Sequence, residues 1–297
     1  MNSARLSRYN APHELVQWVQ HRSGRETTQQ LMRHPDVAFI LAIGGASLVH
    51  AAYSSGTPAI GVGPGNAPTW LAADADVERA ATHILASKSY DNGIVCASEH
   101  NLVVDASIRS AIVGALRRHG AYVLEPPEVD AFVAAVFDAD SSHMRRDLHG
   151  RSAARVAEAA GLVIPTGVRL IVVPAQADQL AGPLGREKPA PVTSLFTAHG
   201  DEEALAIGKR LLANEGAGHT AIVHTADYAR IDRFSREMPV SRVLVNVPGT
   251  QGTLGIGTGL ALSMTLGTGT AGGTSTTDNV TYRHLVNIKR VAYARAA

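Results

Sequence analysis

An unbroken apolar run, Val37-Ala38-Phe39-Ile40-Leu41-Ala42-Ile43, ends directly on Gly44-Gly45, and this pairing constrains the chain more than any other feature. A run of that length suits a strand, and with no polar position to face water it must be covered on both faces. The glycines supply a tight turn, and Ser47 to Ser55 reads as the helix leaving it. Strand, glycine turn and helix make half of a doubly wound unit, so the expected class is α/β with a parallel sheet.

The remaining pattern agrees with that class. Thr57 to Asn66 is a second short strand running into a glycine-rich loop. Helices are expected at Asp76 to Lys88, Ile108 to His119, Asp130 to Phe137, Ser152 to Ala160 and Glu202 to Asn214. Strands are expected at Asn101 to Val104, Leu170 to Val173, Val192 to Phe196, Ala221 to His224 and Arg242 to Asn246. Upstream, Leu15, Val16, Trp18 and Val19 make an apolar stripe at helical spacing, and Glu26 to Met32 repeats it before Pro35 stops it. Gly249 to Gly273 has no helical period and reads as loops and short strands closing over something. His284 to Ala292 alternates apolar and charged positions as a strand does.

Composition narrows the partners. Of 297 residues 45% are hydrophobic, enough for a sizeable core. Lys plus Arg number 27 against 26 for Asp plus Glu, so nothing draws the chain to nucleic acid or to a membrane surface. Aromatics at 5% argue against a platform for stacking bases. Met1 to Asn10 lacks the apolar core of a signal peptide, no run is long enough to span a bilayer, and the single cysteine suits a reducing compartment. A cytoplasmic protein is expected.

That cysteine, Cys96, lies in a turn between Asp91-Asn-Gly and Ala97-Ser-Glu. A lone cysteine is more often a small buried hydrophobe than a nucleophile. A nucleophile needs backbone amides or a helix start nearby to favour the thiolate, which this setting permits without requiring.

The neighbourhood adds more. Ala51 to Asn66, then Ser87-Lys-Ser-Tyr-Asp-Asn-Gly-Ile-Val-Cys-Ala-Ser-Glu99, resembles the core of the acylating, coenzyme A-dependent aldehyde dehydrogenases. Gly185-Arg-Glu-Lys-Pro-Ala-Pro-Val192, Gly218-His-Thr-Ala221, Asn246 to Gly252 leading to Thr265 to Gly273, and Asp278 to Arg290 continue the resemblance in order, over about Ala11 to Ala292. The resemblance implies an aldehyde-dehydrogenase-like catalytic domain with a partial doubly wound cofactor domain. It divides the chain into residues 1–10, a leader of unknown role, 11–60, the residual dinucleotide-binding part, 61–253, the catalytic α/β domain, and 254–297, a glycine-rich return segment with a C-terminal strand.

The resemblance also assigns roles. Cys96 falls on the nucleophile that attacks an aldehyde, passes a hydride to NAD and is left as a thioester. Glu187 matches the glutamate that holds the nicotinamide ribose, although a surface glutamate paired with Arg186 or Lys188 fits the residues as well. Gly44 and Gly45 match a helix start packed against the dinucleotide, although a tight turn alone explains them. His219 is a candidate acid–base partner or substrate contact, with a structural histidine as the alternative. No carboxylate lies between Pro58 and Ala73, where hydrolytic relatives carry the base that activates water. Transfer to coenzyme A is therefore the expected second step.

No metal is expected: His219 and His224 should point to opposite faces of a strand, and one cysteine cannot build a thiolate zinc site. Arg117-Arg118 and Arg145-Arg146 read as solvated helix faces, with contacts to a phosphorylated carrier as the alternative. The family's tail implies a homo-oligomer; the aldehyde and the choice of NAD or NADP are not legible. Relatives carry further sequence before the point matching Pro12, with the early strands of the cofactor domain, the adenine pocket and an oxyanion-stabilising asparagine. A shortened gene product is the leading expectation, ahead of a piece assembling with a separate N-terminal partner or a catalytically inactive interaction module.

Overall fold

The computed structural model describes residues 7–19 and 24–295, so part of the expected leader, residues 1–6, lies outside the described residues. Two parallel sheets organise the chain. In the smaller, β1 (Ile40–Ile43) pairs in register with β2 (Ala59–Val62). Helices α1 (Arg25–Met32) and α2 (Ala46–Tyr53) accompany it, and Met32, Ile40, Ala42 and Ala52 make its core.

The larger sheet contains β3 (Pro68–Leu71), β4 (Asn101–Asp105), β5 (Ala121–Val123), β6 (Leu170–Pro174), β7 (Val192–Ala198), β8 (Gly218–His224) and β9 (Val240–Val245). They lie in the order β5-β6-β7-β4-β3-β8-β9, every pairing parallel. Successive side chains of a strand point to opposite faces, and both faces here are buried. Leu102, Val104, Leu170, Val172 and Leu195 meet Ile84, Leu85, Ile112 and Leu116 from α3 (Val77–Lys88) and α4 (Arg109–Arg118). Val103, Ile171, Val173 and Phe196 meet Phe132, Val156, Leu205, Leu211 and Phe234 from the other side. Those come from α5 (Pro126–Val136), α6 (Ala153–Ala159), α7 (Asp201–Asn214) and α8 (Tyr228–Glu237). Covered on both sides, the strands carry the near-continuous apolar runs by which they were legible.

Local chemistry fixes the helix starts. Asp76 accepts from the Arg79 amide, Ser152 from Arg155 and Asp227 from Ala229, each meeting a first-turn donor. Pro126 and Pro127 open α5 where no amide partner is required.

Four expectations are corrected. The Leu15 to Val19 stripe forms no helix: only His13–Leu15 makes a 3-10 turn, and Trp18 is 73% exposed, uncovered by the described residues. The apolar run from Val37 becomes a strand only at Ile40, and it is covered on one face alone. Leu41 and Ile43 are 37% and 51% exposed, because this sheet is two strands wide with its core on one side. A short helix, α9 (Gly249–Thr253), opens the glycine-rich return segment, whose bridge pairs Leu266 with Asn279 antiparallel. Residues 284–292 form no strand within the chain, leaving Leu285, Val286, Ile288 and Val291 exposed. Alternation specifies a strand only where an edge is offered to it. The return segment is tied to the small sheet by two hydroxyls: Tyr53 Oη accepts from the amides of Gly61 and Ser275, both at 2.9 Å, and Ser275 Oγ donates to the Ala59 carbonyl at 3.4 Å.

Phe196 fills the centre of the larger core and is 1% exposed. Phe196→Ala is expected to lower unfolding free energy by about 3–5 kcal/mol in urea titrations. A loss below about 1 kcal/mol would show that this face is not packed as described.

Candidate active site

Neighbouring strands β7, β4, β3 and β8 are entered by loops from the same edge of the sheet. Gly65 precedes β3, Cys96 precedes β4, Glu187 and Lys188 precede β7, and His219 is the second residue of β8. Parallel strands bring these four amino ends together, so residues far apart in sequence share one edge.

The cysteine loop is held by backbone contacts. Asp91 and Asn92 take left-handed conformations (φ 46° and 50°), which short polar side chains tolerate. Asn92 Nδ2 donates to the Gly150 carbonyl at 2.9 Å. A Cβ on Gly93 would lie 2.3 Å from the Ala190 carbonyl oxygen, and one on Gly65 only 1.9 Å from that of Cys96. Glycine is needed at 65 so that the loop before β3 can lie directly on the cysteine.

Cys96 Sγ, partly exposed, is 3.1 Å from His219 Nε2. His219 Nδ1 lies 3.0 Å from Thr220 Oγ1; if that nitrogen donates, Nε2 is left as acceptor for the thiol. Burial, and then the Glu187 charge, push the thiol up to about 12, while backbone amides of Cys96 and Ala97 and the Arg242 charge pull the other way. Burial, and then Arg242, hold His219 down at about 3. The resting pair is therefore a neutral thiol against a neutral imidazole.

Glu187 is half-buried beside them. Its Oε1 accepts from the Gly65 amide at 3.2 Å, and its own amide donates to Glu215 Oε2 at 2.9 Å. Burial, and then Glu215, raise its carboxyl to about 8, against opposing pulls from the Gly65 amide, Lys88 and Lys188.

Two fully buried lysines frame these loops. Lys88 Nζ reaches the Lys188 carbonyl at 2.8 Å, His100 Nδ1 at 2.9 Å, Ser98 Oγ at 3.0 Å and the Gly93 carbonyl at 3.4 Å. Lys188 Nζ donates to the carbonyls of Arg186 and Leu184 at 2.6 and 2.8 Å and to Asn101 Oδ1 at 3.1 Å. Asn101 Nδ2 donates on to Asn66 Oδ1 at 2.7 Å, and Asn66 Nδ2 to the Gly185 carbonyl at 2.7 Å. Burial brings Lys88 down to about 7 and Lys188 well below its ordinary value.

Gly44 and Gly45 lie apart from this edge, at the start of α2. A Cβ on Gly44 would meet Leu48 at 3.1 Å, whereas one on Gly45 would meet open space, and no side chain caps the helix. Between α1 and α2 a cleft of about 460 Å³ is lined by Arg25, Gln29, Met32, Ser47, Leu48 and Ala51, among others.

The other sequence candidates are placed elsewhere. Arg117 pairs with Glu125, Arg118 with Glu78 and Arg145 with Asp147, all on the surface. His224 sits at the far end of β8 against His83, ring centroids 5.8 Å apart. Among the described residues, no cluster of His, Cys, Asp and Glu is arranged for a metal ion, and no helix is long and apolar enough to cross a membrane. Sequence reasoning missed Lys88, Gly65 and Arg242. The first reads as the polar end of an amphipathic helix, the second as one loop glycine among several, and the third as an ordinary strand arginine.

The model of the aldehyde dehydrogenase family matches residues 4–285. The bifunctional aldehyde-alcohol dehydrogenase of Escherichia coli is 37% identical over 287 residues, 95% of this chain but 32% of that protein. An acetylating aldehyde dehydrogenase from Geobacillus thermoglucosidasius superposes with a TM-score of 0.93 at 36% identity, covering 99% of this chain and 65% of the other. A Rhodopseudomonas palustris propionaldehyde dehydrogenase, solved with bound CoA and an acylated cysteine, gives 0.81 at 26% identity over 93% of this chain and 61% of its own. The chain thus spans about a third of the first and just under two-thirds of the others.

Glu187 keeps its proton up to about pH 8 in the folded chain and loses it near its ordinary 4.5 when unfolded. The folded state binds more protons across that window, so this group's contribution to stability falls as pH rises through it. Glu187→Gln removes the fall, so its melting temperature is expected to gain on the wild type from about pH 5 to about pH 8. Parallel melting curves would contradict the assignment.

Proposed function

The chain belongs to the aldehyde dehydrogenase family, and on that footing we propose that it is built for the acylating reaction: aldehyde, coenzyme A and NAD to acyl-coenzyme A, NADH and a proton, or the reverse. The observation carrying this reading is the 3.1 Å approach of Cys96 Sγ to His219 Nε2 at an edge whose loop 61–66 has no carboxylate. Cys96 Sγ bonds to the aldehyde carbon while its proton leaves by way of His219 Nε2 for the carbonyl oxygen, giving a thiohemiacetal. NAD or NADP, when bound, would supply the hydride acceptor for the oxidation that leaves a thioester on Cys96, the hydroxyl proton of the thiohemiacetal leaving to solvent. The coenzyme A thiol then attacks that carbonyl, its proton moves through His219, and the Cys96 sulfur leaves to regain one. The amides of Cys96 and Ala97 face the sulfur and are placed to favour charge developing there.

The residues present fit a dinucleotide. The uncapped start of α2 at Gly44-Gly45 offers backbone amides to a pyrophosphate, and the cleft between α1 and α2 has room for an adenosine. Part of the nucleotide surface then belongs to this chain, where the sequence comparison alone assigns the adenine pocket to preceding residues. Glu187 is the candidate for the nicotinamide ribose. It is the carboxyl beside Cys96, and it is a poor base for water at neutral pH because it holds its proton to about 8. This favours a thiol as acyl acceptor. The exposed Leu285, Val286, Ile288 and Val291 support a homo-oligomer joined through the tail.

A second reading, an inactive interaction module, is favoured by the open face of the small sheet at Leu41 and Ile43. One assay separates the two: NADH absorbance with a panel of small aldehydes, with and without coenzyme A. The acylating reading expects coenzyme A-dependent NADH, abolished in Cys96→Ala and slowed about 10²–10⁴-fold in His219→Ala. NADH formed without coenzyme A, or activity surviving in Cys96→Ala, would overturn it. No NADH, together with tight association with another protein, would favour the module.

A further inference from the structure

Arg242 on β9 is 4% exposed, and among the described residues no carboxylate pairs with it. Its guanidinium is consumed by neutral acceptors. Nη1 donates to the His219 carbonyl at 3.1 Å and Nε to Asn279 Oδ1 at 2.8 Å. Nη2 donates to the carbonyls of Gly267, Thr277 and Asp278 at 2.6, 2.9 and 3.3 Å. Asn279 in turn donates to the carbonyls of Thr253 and Ala261 at 2.9 and 2.7 Å. The return segment presses on the residue before the histidine, since a Cβ on Gly218 would lie 2.0 Å from the Thr268 carbonyl oxygen. One side chain therefore fastens the start of β8 to the segment packed behind it.

We propose that Arg242 is a positioning residue for the Cys96–His219 pair, fixing the His219 peptide and holding an uncancelled positive charge behind the sulfur. This rests on the reading of Cys96 as nucleophile and extends it. A neutral hydrogen-bonding residue would hold the same segment; only a cation also favours a thiolate. The other groups acting on the sulfur are His219 from β8, Glu187 from the loop before β7 and Lys88 from α3, while His100 beside β4 meets the Cys96 backbone. Asp278 gives Arg242 a hydrogen bond only through its carbonyl; its exposed carboxylate, 3.1 Å from His284 Nε2, acts on the guanidinium without touching it.

The test uses the only cysteine in the chain. Iodoacetamide alkylation of Cys96 is followed against pH in the full chain, R242K and R242M, with melting temperature measured beside it. Alkylation requires neither dinucleotide nor coenzyme A, so an enzymatically silent chain still reports. R242M is expected to move the alkylation profile up by about one pH unit, slowing the reaction about tenfold on the rising limb. R242K is expected to keep the wild-type profile while losing melting temperature, because it keeps the charge and loses the fork. R242M alkylating as fast as the wild type, or R242K shifting as far as R242M, would overturn the proposal. Should R242M fail to fold, R242Q replaces it: alkylation about tenfold slower than the wild type on the rising limb supports the proposal, and alkylation at the wild-type rate overturns it.

Discussion

Two lysine side chains taken wholly out of water set the terms for everything at this edge of the sheet. A buried polar donor left without a partner costs about 1–3 kcal/mol, so Lys88 and Lys188 persist only while their donors are met. Their acceptors are carbonyls and side chains of the loops carrying Cys96 and Glu187 and, through Asn101, of the loop carrying Gly65. The loops therefore cannot drift without stranding a buried amine. A nucleophile is useful only when its distance to a partner is fixed, and here side chains that touch neither sulfur nor imidazole fix it.

Open parallel sheets commonly bind ligands beyond the carboxyl ends of their strands. In this chain the candidate chemistry gathers at the amino ends instead. Helices arriving there present their carbonyl ends, which disfavour a thiolate. The compensation is local: amides at Cys96 and Ala97, and the Arg242 guanidinium packed behind them. Burial keeps the resting thiol and imidazole neutral, with the Glu187 charge adding to it at the thiol and the Arg242 charge at the imidazole.

The α/β class and most of the larger sheet were legible because burial on both faces writes long apolar runs into β4, β6 and β7. Pro68–Leu71 escaped notice although it is central in the sheet, being four residues long and opened by a proline. The strand expected from Ala221 begins three residues earlier, a start hidden because Gly218 and His219 lack the apolar character that marks the rest of β8. That strand start is nonetheless what turns His219 toward Cys96. The cysteine and the histidine were named from a resemblance, and only three dimensions show them in contact. Arg242 carried no signal at all, since an arginine alternating with valines reads as solvent-facing. The tail and the Leu15 stripe misled for the opposite reason: their pattern asks for a surface that the described residues do not offer.

The phenol of Tyr53 pins α2 to Ser275, and a few residues earlier the same strand of chain is bolted to the back of His219. These two fastenings sit on one short lever. A small swing of α2 would be felt as torque on the imidazole, so a displacement at the small sheet would retune the geometry of a pair that it does not touch.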